Sequence, residues 1–549
     1  MPRSDCNRHH RRMKRKRSAF DSTRAALGCA MKILVTGGTG VIGVAAVPEL
    51  LRAGHAVRLL SRHADEDTPA FPDGVEPFTA RVDDPERLDE AVAGCDVILH
   101  IAGIVEEHPP EVTFEGVNVQ GTRHLLDAAN RGGLPAFIFL SSLGAERGES
   151  EYHRSKLAAE ELVRDYAGRW LILRSGNVYG PGDETISMLL KMARTLPAVP
   201  MVGDGDQPFQ PIWFGDLGRA LAQAVEDRTL AGQTLEVAGP DITTTADLLT
   251  RFEGITGRKP PRLAVPVWLT EVGTQALEAL GGFGKRILEN ARVTVPINSS
   301  KLSMLIEENV LEDQARNALL THFDIEPTPL QEGLERLADM LPEQTPGEGV
   351  GAIHWSKYSA EIHGSPLTAE QLLDRMCERI NDVMPIEFAA EPGAPECAEE
   401  GNTLTAAIPG RGHIQVRVEE RTAHSVTFVT LEGHPLAGLV RFEARDTPKG
   451  VLFLVNVAAQ PANIFDWIAM RTLGGTMQSA NWRNVVQRVV GLSEGTAPDG
   501  VQKASGKFDE QEAEDLQRRA RELVQRQQRI QKEDPATRER VAGSRAQSR

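Results

Sequence analysis

The sequence of 549 residues predicts two folded domains, a doubly wound α/β domain followed by an α+β domain with an antiparallel sheet. From Lys32 onward, short apolar strands alternate with helical segments, which is typical of a parallel sheet covered on both faces. A glycine-rich turn joins the first strand to the first helix. After residue 354 the pattern changes to period-two alternation across short turns, which predicts an antiparallel meander.

The composition limits the classes of protein to which this chain can belong. Hydrophobic residues make up 41% and charged residues 25% of the chain, as in soluble globular proteins, and no apolar run is long enough to span a bilayer. The net charge is −16, and an acidic body argues against nucleic-acid binding. The five cysteines are scattered without a CxxC pair, which predicts no metal or redox site and a reducing, cytoplasmic location.

Residues 1–30 are interpreted as a disordered basic extension, because they lack apolar periodicity and carry the run from His9 to Arg17. A basic arm or the start of a transit peptide is the alternative. Met31 directly precedes the first strand and is interpreted as the functional start.

The first domain, residues 31–341, is read element by element from its periodicity. The predicted strands are Lys32–Thr36, Ala56–Ser61, Glu76–Arg81, Val97–Ile101, Ala136–Leu140 and Trp170–Arg174. The predicted helices between them are Val44–Ala53, Pro85–Ala93, Asn118–Asn130 and Tyr152–Tyr166. Because ligands of such sheets bind at the carboxyl ends of the strands, residues at those ends are the candidate site residues.

The turn after the first strand carries three glycines at a spacing of three. Gly37 permits a tight turn, Gly40 lets the backbone approach a pyrophosphate, and Gly43 lets the helix pack close to the strand. The free N–H groups at the start of the following helix would hold the phosphates. We therefore assign this turn to a dinucleotide, through the residues Gly37, Thr39, Gly40, Val41, Ile42 and Gly43.

Three further strand ends are assigned to the same cofactor. The second strand ends in Ser61-Arg62 rather than in an acidic residue, which favours NADP(H) through a 2′-phosphate on Arg62 and leaves NAD(H) open. The alternative for Arg62 is a solvated arginine. Asp83 either accepts from the adenine amine or caps a helix. The segment Ile101-Ala102-Gly103 closes the fourth strand, and its small residues would let the backbone pass beside the cofactor.

The predicted chemistry lies in Ser142, Tyr152 and Lys156. Residues four apart share one face of a helix, so Tyr152 and Lys156 point into the cleft together. The Lys156 ammonium, helped by the positive charge of the nicotinamide, would lower the pKa of the phenol, which then serves as general acid or base on a carbonyl/hydroxyl pair. Ser142 would hydrogen-bond the same substrate oxygen. The alternative is an inherited constellation that binds cofactor without turnover.

Several motifs carry a family resemblance across residues 31 to about 340. They are TGGTGVIG (36–43), LLSRH (59–63), NVQGT (118–122), FLSSLGA (139–145), YHRSK (152–156), LRSGNVYGPGD (173–183), GDGDQPFQPIWFGDL (203–217) and IEPTPLQEGL (325–334). They resemble the extended and atypical short-chain dehydrogenase/reductases of the NAD-dependent epimerase/dehydratase superfamily, in particular the branch of the NADPH-binding accessory subunit of complex I. The resemblance implies a Rossmann domain, a Ser142–Tyr152–Lys156 triad, and Asn177 and Tyr179 lining the cleft.

Residues 184–341 are predicted to form a small helical substrate lobe. Its predicted helices are Ile186–Thr195, Thr244–Thr256, Trp268–Leu280, Ser300–Glu308, Gln314–Phe323 and Leu330–Leu341, with a turn or mobile cover at 281–284. No basic cluster here matches a nucleotide-sugar diphosphate, which favours a small-molecule substrate of apolar character.

A linker at 342–353 precedes the second domain, residues 354–492. A sheet wrapped on a C-terminal helix resembles the helix-grip fold of the START/Bet v 1-like (SRPBCC) superfamily, which implies an apolar cavity. The alternative is a filled core used to form a homodimer. Residues 493–549 are predicted to be a charged tail, largely disordered or helical.

These observations together predict an NADP(H)-dependent oxidoreductase or epimerase. One alternative is a non-catalytic NADPH-binding assembly or sensor protein. Another is a reductase of an apolar, quinone- or isoprenoid-like ligand that the second domain helps to hold.

Overall fold

The computed structural model describes residues 30–195, 198–202, 204–265, 309–384, 388–390, 397–408, 412–462 and 475–533. The predicted basic extension, the helices Trp268–Leu280 and Ser300–Glu308, the turn at 281–284 and the last residues of the tail lie outside these ranges.

The first domain contains a sheet of seven parallel strands in the order β10-β6-β5-β4-β1-β2-β3. The strands of this domain are β1 (Lys32–Thr36), β2 (Ala56–Ser61), β3 (Val75–Thr79), β4 (Val97–His100), β5 (Ala136–Ser142), β6 (Arg169–Ser175), β7 (Val178–Tyr179), β8 (Val199–Val202), β9 (Ile212–Trp213), β10 (Gln233–Val237) and β11 (Arg262–Val265). The chain reverses its direction across the sheet between β1 and β4, so a crevice opens there at the carboxyl edge.

Helices cover both faces of this sheet. In the first domain they are α1 (Gly43–Arg52), α2 (Ala64–Asp67), α3 (Leu88–Val92), α4 (Gly121–Gly132), α5 (Glu151–Arg164), α6 (Ile186–Thr195), α7 (Phe214–Glu226), α8 (Thr245–Thr256), α9 (Ala318–Thr321) and α10 (Leu330–Asp339). Alternate residues of β1 point to opposite faces. Ile33 and Val35 pack with α1 and α7, whereas Leu34 packs with α4 and α5. The predicted doubly wound fold is confirmed.

The second domain is built on eight antiparallel strands in the order β13-β14-β15-β16-β17-β18-β12-β19. These are β12 (His354–His363), β13 (Phe388–Ala390), β14 (Thr403–Ile408), β15 (Gly412–Thr422), β16 (Ser425–Thr430), β17 (Leu436–Thr447), β18 (Gly450–Pro461) and β19 (Gln502–Lys507). The helices are α11 (Ala369–Glu378), α12 (Ile380–Val383), α13 (Gly475–Leu492) and α14 (Glu510–Glu533). The antiparallel sheet domain is confirmed, and its assignment to the START/Bet v 1-like superfamily stays a prediction.

The segment between the two sheets is packed rather than extended into solvent. The backbone N–H of Gln344 donates to the Thr430 carbonyl at 2.6 Å, and that of Val350 donates to Pro461 at 2.7 Å. The predicted linker therefore lies along the ends of strands β16 and β18 of the second sheet.

Helix α14 contacts both domains. Arg526 donates to Glu400 at 2.9 Å on the second domain, and Lys532 donates to the Ala70 carbonyl at 2.6 Å on the first. Part of the predicted charged tail is thus a docked helix. No helix within the described ranges combines the length and apolar character needed to cross a membrane.

Candidate functional site

A cleft of about 1060 Å³ lies along the carboxyl edge of the parallel sheet. This volume is slightly above the range of about 300–1,000 Å³ for small-molecule sites, so it has room for a cofactor and a substrate together. Every residue predicted to contact the cofactor or to act in catalysis lines this cleft, except Gly43. Lining residues come from the ends of β1, β2, β4, β5 and β6 and from α5 and α6.

The glycine-rich turn is shaped by two close contacts. Gly37 has φ of +71°, and a Cβ there would lie 2.6 Å from the Ala102 nitrogen at the end of β4. Gly43 is buried behind the turn, where a Cβ would lie 2.2 Å from the Gly38 Cα. Gly40 is exposed to the cleft. Larger side chains at Gly37 and Gly43 would therefore push the turn away from the sheet, which explains two of the three predicted glycine roles.

The end of β2 carries a hydroxyl and a guanidinium beside a carboxylate. Ser61 Oγ donates to Asp67 Oδ2 at 2.9 Å. Arg62 is exposed and lines the cleft, and it makes no hydrogen bond or ion pair with any residue that the structure describes. Its guanidinium is therefore available to a ligand phosphate.

Asp83 lines the cleft as an ion-paired carboxylate. Arg81 Nη2 lies 2.5 Å from Asp83 Oδ2, and this hydrogen bond holds the pKa of Asp83 below its usual value. The residue that caps the following helix is Asp84, because its carboxylate accepts a hydrogen bond from the Glu86 backbone N–H. Asp83 is thus free of a capping role.

Helix α5 presents the predicted proton-transfer groups. It begins after Ser150, whose Oγ accepts from the His153 backbone N–H as an N-cap. Tyr152 and Lys156 follow one turn apart and both line the cleft. Lys156 is 5% exposed, and its Nζ donates to the Leu140 carbonyl at 2.6 Å and lies 4.5 Å from the Phe139 ring centroid.

Burial controls the titration of both groups. It raises the pKa of Tyr152 to about 12 and lowers the pKa of Lys156 to about 8. In the protein without cofactor, burial thus shifts the pKa of Tyr152 upward, and the predicted lowering by Lys156 together with a bound nicotinamide stays a prediction. In this state Tyr152 is a neutral phenol that can donate a proton.

The serines at the end of β5 have different surroundings. Ser142 Oγ lies 3.3 Å from His153 Nε2, and His153 Nδ1 lies 3.1 Å from Ser150 Oγ. Ser141 Oγ is buried and has no hydrogen-bond partner among the described residues, although it also lines the cleft. Ser142, the serine predicted from the sequence, therefore shares the cleft with Ser141.

The end of β4 is held by a buried polar network. His100 is fully buried, and its ring nitrogens lie 2.7 Å from Thr36 Oγ1 and 3.0 Å from Thr122 Oγ1. Burial lowers the pKa of His100 to about 3, so this ring is neutral. Asn118 Oδ1 accepts from the Ile104 N–H at 2.9 Å. These contacts position the loop through Ile101, Ala102 and Gly103 against the cleft.

Of the two residues after β6 that were predicted to line the cleft, the structure places only one there. Asn177 lines the cleft, and its Oδ1 accepts from Asn309 at 2.7 Å. Tyr179 does not line it, because its side chain is buried against Trp213 with ring centroids 5.2 Å apart. The expectation for Tyr179 is therefore wrong, since β7 turns this side chain into the core of the lobe.

The far end of the cleft was not predicted from the sequence. It is lined by Val178, Met188, Leu189, Met192, Met201, Asp204 and Asp206. Met188 and Met192 lie four apart on α6 and share a face. That spacing is visible in the sequence, but it does not say whether the face meets a cleft or a core.

These features define the first domain as a Rossmann domain with a dinucleotide-sized cleft and a Tyr-x-x-x-Lys helix at its edge. Residues 33–238 match the model of the NAD dependent epimerase/dehydratase family.

Two characterised relatives are similar to this region. The chain is 36% identical over 172 residues to the ceramide reductase of Caulobacter vibrioides, a match that covers 31% of this chain and 53% of that protein. It is 29% identical over 223 residues to the NADH dehydrogenase [ubiquinone] 1 alpha subcomplex subunit 9 of Arabidopsis thaliana, covering 39% and 55%. The chain thus spans about half the length of these relatives.

Among solved structures, a Thermus thermophilus UDP-glucose 4-epimerase in complex with NAD is similar at 24% identity and a TM-score of 0.44. The likeness covers 56% of this chain and 98% of that one.

Proposed function

We propose that the first domain is an NADP(H)-dependent oxidoreductase that acts on a carbonyl/hydroxyl centre. The observation that carries the proposal is the shared cleft of the glycine-rich turn with Ser142, Tyr152 and Lys156. Similarity to a ceramide reductase supports oxidoreductase chemistry over epimerisation. A proton donor beside a cofactor-sized cleft is what such a reaction needs.

The cleft fits a nicotinamide dinucleotide in three respects. The turn from Gly37 to Ile42 leaves its backbone against the cleft at the start of α1, where a pyrophosphate is favoured. Arg62 offers an unpaired guanidinium to a 2′-phosphate, which favours NADP(H). Ser141 contributes a buried hydroxyl that has no hydrogen-bond partner among the described residues. When bound, the cofactor supplies or accepts a hydride.

The protein's own residues handle the proton. Tyr152 donates it to the substrate oxygen in reduction, which suits its neutral state. Lys156, while protonated, stabilises the phenolate that this transfer leaves behind. Ser142 orients the substrate oxygen, and its hydroxyl is itself oriented by His153.

A second candidate is a cofactor-binding assembly protein without turnover. The similarity to a subunit of NADH dehydrogenase favours it. Both candidates bind NADPH, but only the oxidoreductase consumes it. Stoichiometric binding without consumption across a panel of ketones and aldehydes would favour this second function.

The deciding experiment compares two tyrosine variants on a substrate from that panel. Tyr152→Phe should lower kcat by about 10²- to 10⁴-fold and keep NADPH binding, because only the phenol hydroxyl is lost. Tyr166→Phe is the control, since Tyr166 Oη donates to the Leu134 carbonyl at 2.6 Å away from the cleft. That variant should lose about 1 kcal/mol of stability and keep its kcat. Full turnover by Tyr152→Phe would overturn the proposed mechanism.

A further inference from the structure

We propose that the far end of the cleft takes an uncharged, largely apolar substrate rather than a sugar nucleotide. The inference rests on the proposed oxidoreductase function and names the substrate class of the same site. It derives from the side chains that line the cleft beyond Tyr152 and Ser142.

The wall of this end is apolar and adaptable. Met188, Leu189 and Met192 come from one face of α6, and Met201 faces them from β8. Met188 and Met201 are half-buried, so their side chains are accessible to a ligand. Thioether side chains are flexible and polarisable, which lets them pack against apolar ligands of irregular shape.

The charges at this end oppose an anionic ligand. Asp204 and Asp206 are exposed at the rim, and Glu184 is also among the lining residues. Among the described lining residues from Val178 onward there is no lysine or arginine. The Asp204 and Asp206 carboxylates of this described lining would disfavour a diphosphate, because like charges repel.

The fourth carboxylate of the region is already engaged. Asp183 is buried and accepts from the backbone N–H groups of Thr185, Ile186 and Ser187 at 2.6–2.9 Å. It therefore fixes the start of α6 instead of meeting a ligand. The methionine face of α6 is held in place at its first turn by this cap.

The second domain braces the opposite side of α6. Lys191 forms an ion pair with Glu432 at 2.8 Å, and Leu431 packs in the same apolar cluster as Leu190. The described interior of the second domain is itself occupied by a continuous cluster of side chains, including Phe442 and Phe453. The structure thus assigns the apolar site to the first domain, with the second domain as a support for its wall.

The test uses the full chain with NADPH present and two probes, 2-tridecanone as a neutral apolar ketone and UDP-glucose as a sugar nucleotide. Calorimetry measures binding, and absorbance measures NADPH consumption. We expect 2-tridecanone to bind and UDP-glucose not to bind. Binding of UDP-glucose, or of neither probe, would overturn the inference. If 2-tridecanone binds but NADPH is not consumed, the far end of the cleft is an apolar site as inferred, and the proposed oxidoreductase function is wrong.

A matched pair of variants ties the binding to α6. Met188→Gln should weaken 2-tridecanone about tenfold, since part of the apolar contact is replaced by an amide. Met340→Gln, the same change at a half-buried methionine of the lobe outside the cleft, should leave binding unchanged. Equal effects of the two variants would show that the ligand does not touch α6.

Discussion

Replacing Arg62 with alanine should weaken NADPH binding and leave NADH binding unchanged. Arg62 is exposed at the cleft and has no partner among the described residues, so its removal breaks no internal contact. The fold should therefore keep its stability, and the change in affinity reports the ligand contact alone. The two cofactors differ only by the 2′-phosphate that this guanidinium is proposed to bind.

The size of the expected loss in NADPH affinity follows from the exposure of the Arg62 side chain. A charge-assisted hydrogen bond contributes about 1.5–3 kcal/mol, and exposure to solvent reduces this to about 1–2 kcal/mol. At about 1.4 kcal/mol per factor of ten, the dissociation constant for NADPH should rise about 5- to 30-fold. The nearby Asp67 carboxylate, which accepts from Ser61, opposes the phosphate and keeps the expected effect modest.

Fluorescence titration with NADPH and NADH measures both constants. Arg131→Ala is the control, because Arg131 is an exposed arginine paired with Asp89 outside the cleft. The effect of Arg62→Ala should shrink as salt increases, since an exposed charge pair is screened. Equal losses for the two cofactors, or no loss for NADPH, would refute the NADP(H) assignment.

Three further predictions concern the site and the second domain. The kcat for ketone reduction should fall as the pH rises through about 8, because Lys156 then loses its proton and no longer stabilises the Tyr152 phenolate. A pH–rate profile measures this, and a flat profile from pH 6 to 10 would contradict the prediction. Gly43→Ala should weaken NADPH binding and cost about 1–3 kcal/mol of stability, because the new Cβ would lie 2.2 Å from the Gly38 Cα; urea unfolding and titration measure both, and unchanged values would argue against the tight turn. Glu419→Gln should stabilise the protein by about 1–3 kcal/mol at pH 8.5 and less at pH 5, as measured by urea unfolding at the two pH values. The Glu419 carboxyl is fully buried without a hydrogen-bond partner among the described residues, and burial raises its pKa. The native state therefore holds a proton that the unfolded state releases, so the stability of the unsubstituted protein falls as the pH rises. A stability gain from Glu419→Gln that does not grow with pH would contradict this reasoning.

Local patterns in the sequence determined most of the first domain. Strands β1 and β2 have the predicted bounds, because an apolar run and its flanking turn residues are neighbours in the chain. The glycine spacing and the Tyr152–Lys156 spacing are equally local, and they placed both motifs at one edge of the sheet. Strand β10 was not predicted; it is five residues long and pairs only with β6.

Only the tertiary structure decided how the candidate groups are surrounded. Burial by residues distant in sequence raised the pKa of Tyr152 in the protein without cofactor, and His153 became a partner of Ser142. The same is true of α6, whose Met188 face meets the cleft while Lys191 meets the second domain. Hydrophobic periodicity tells which residues share a face, but desolvation and long-range packing decide what that face touches and how its groups titrate.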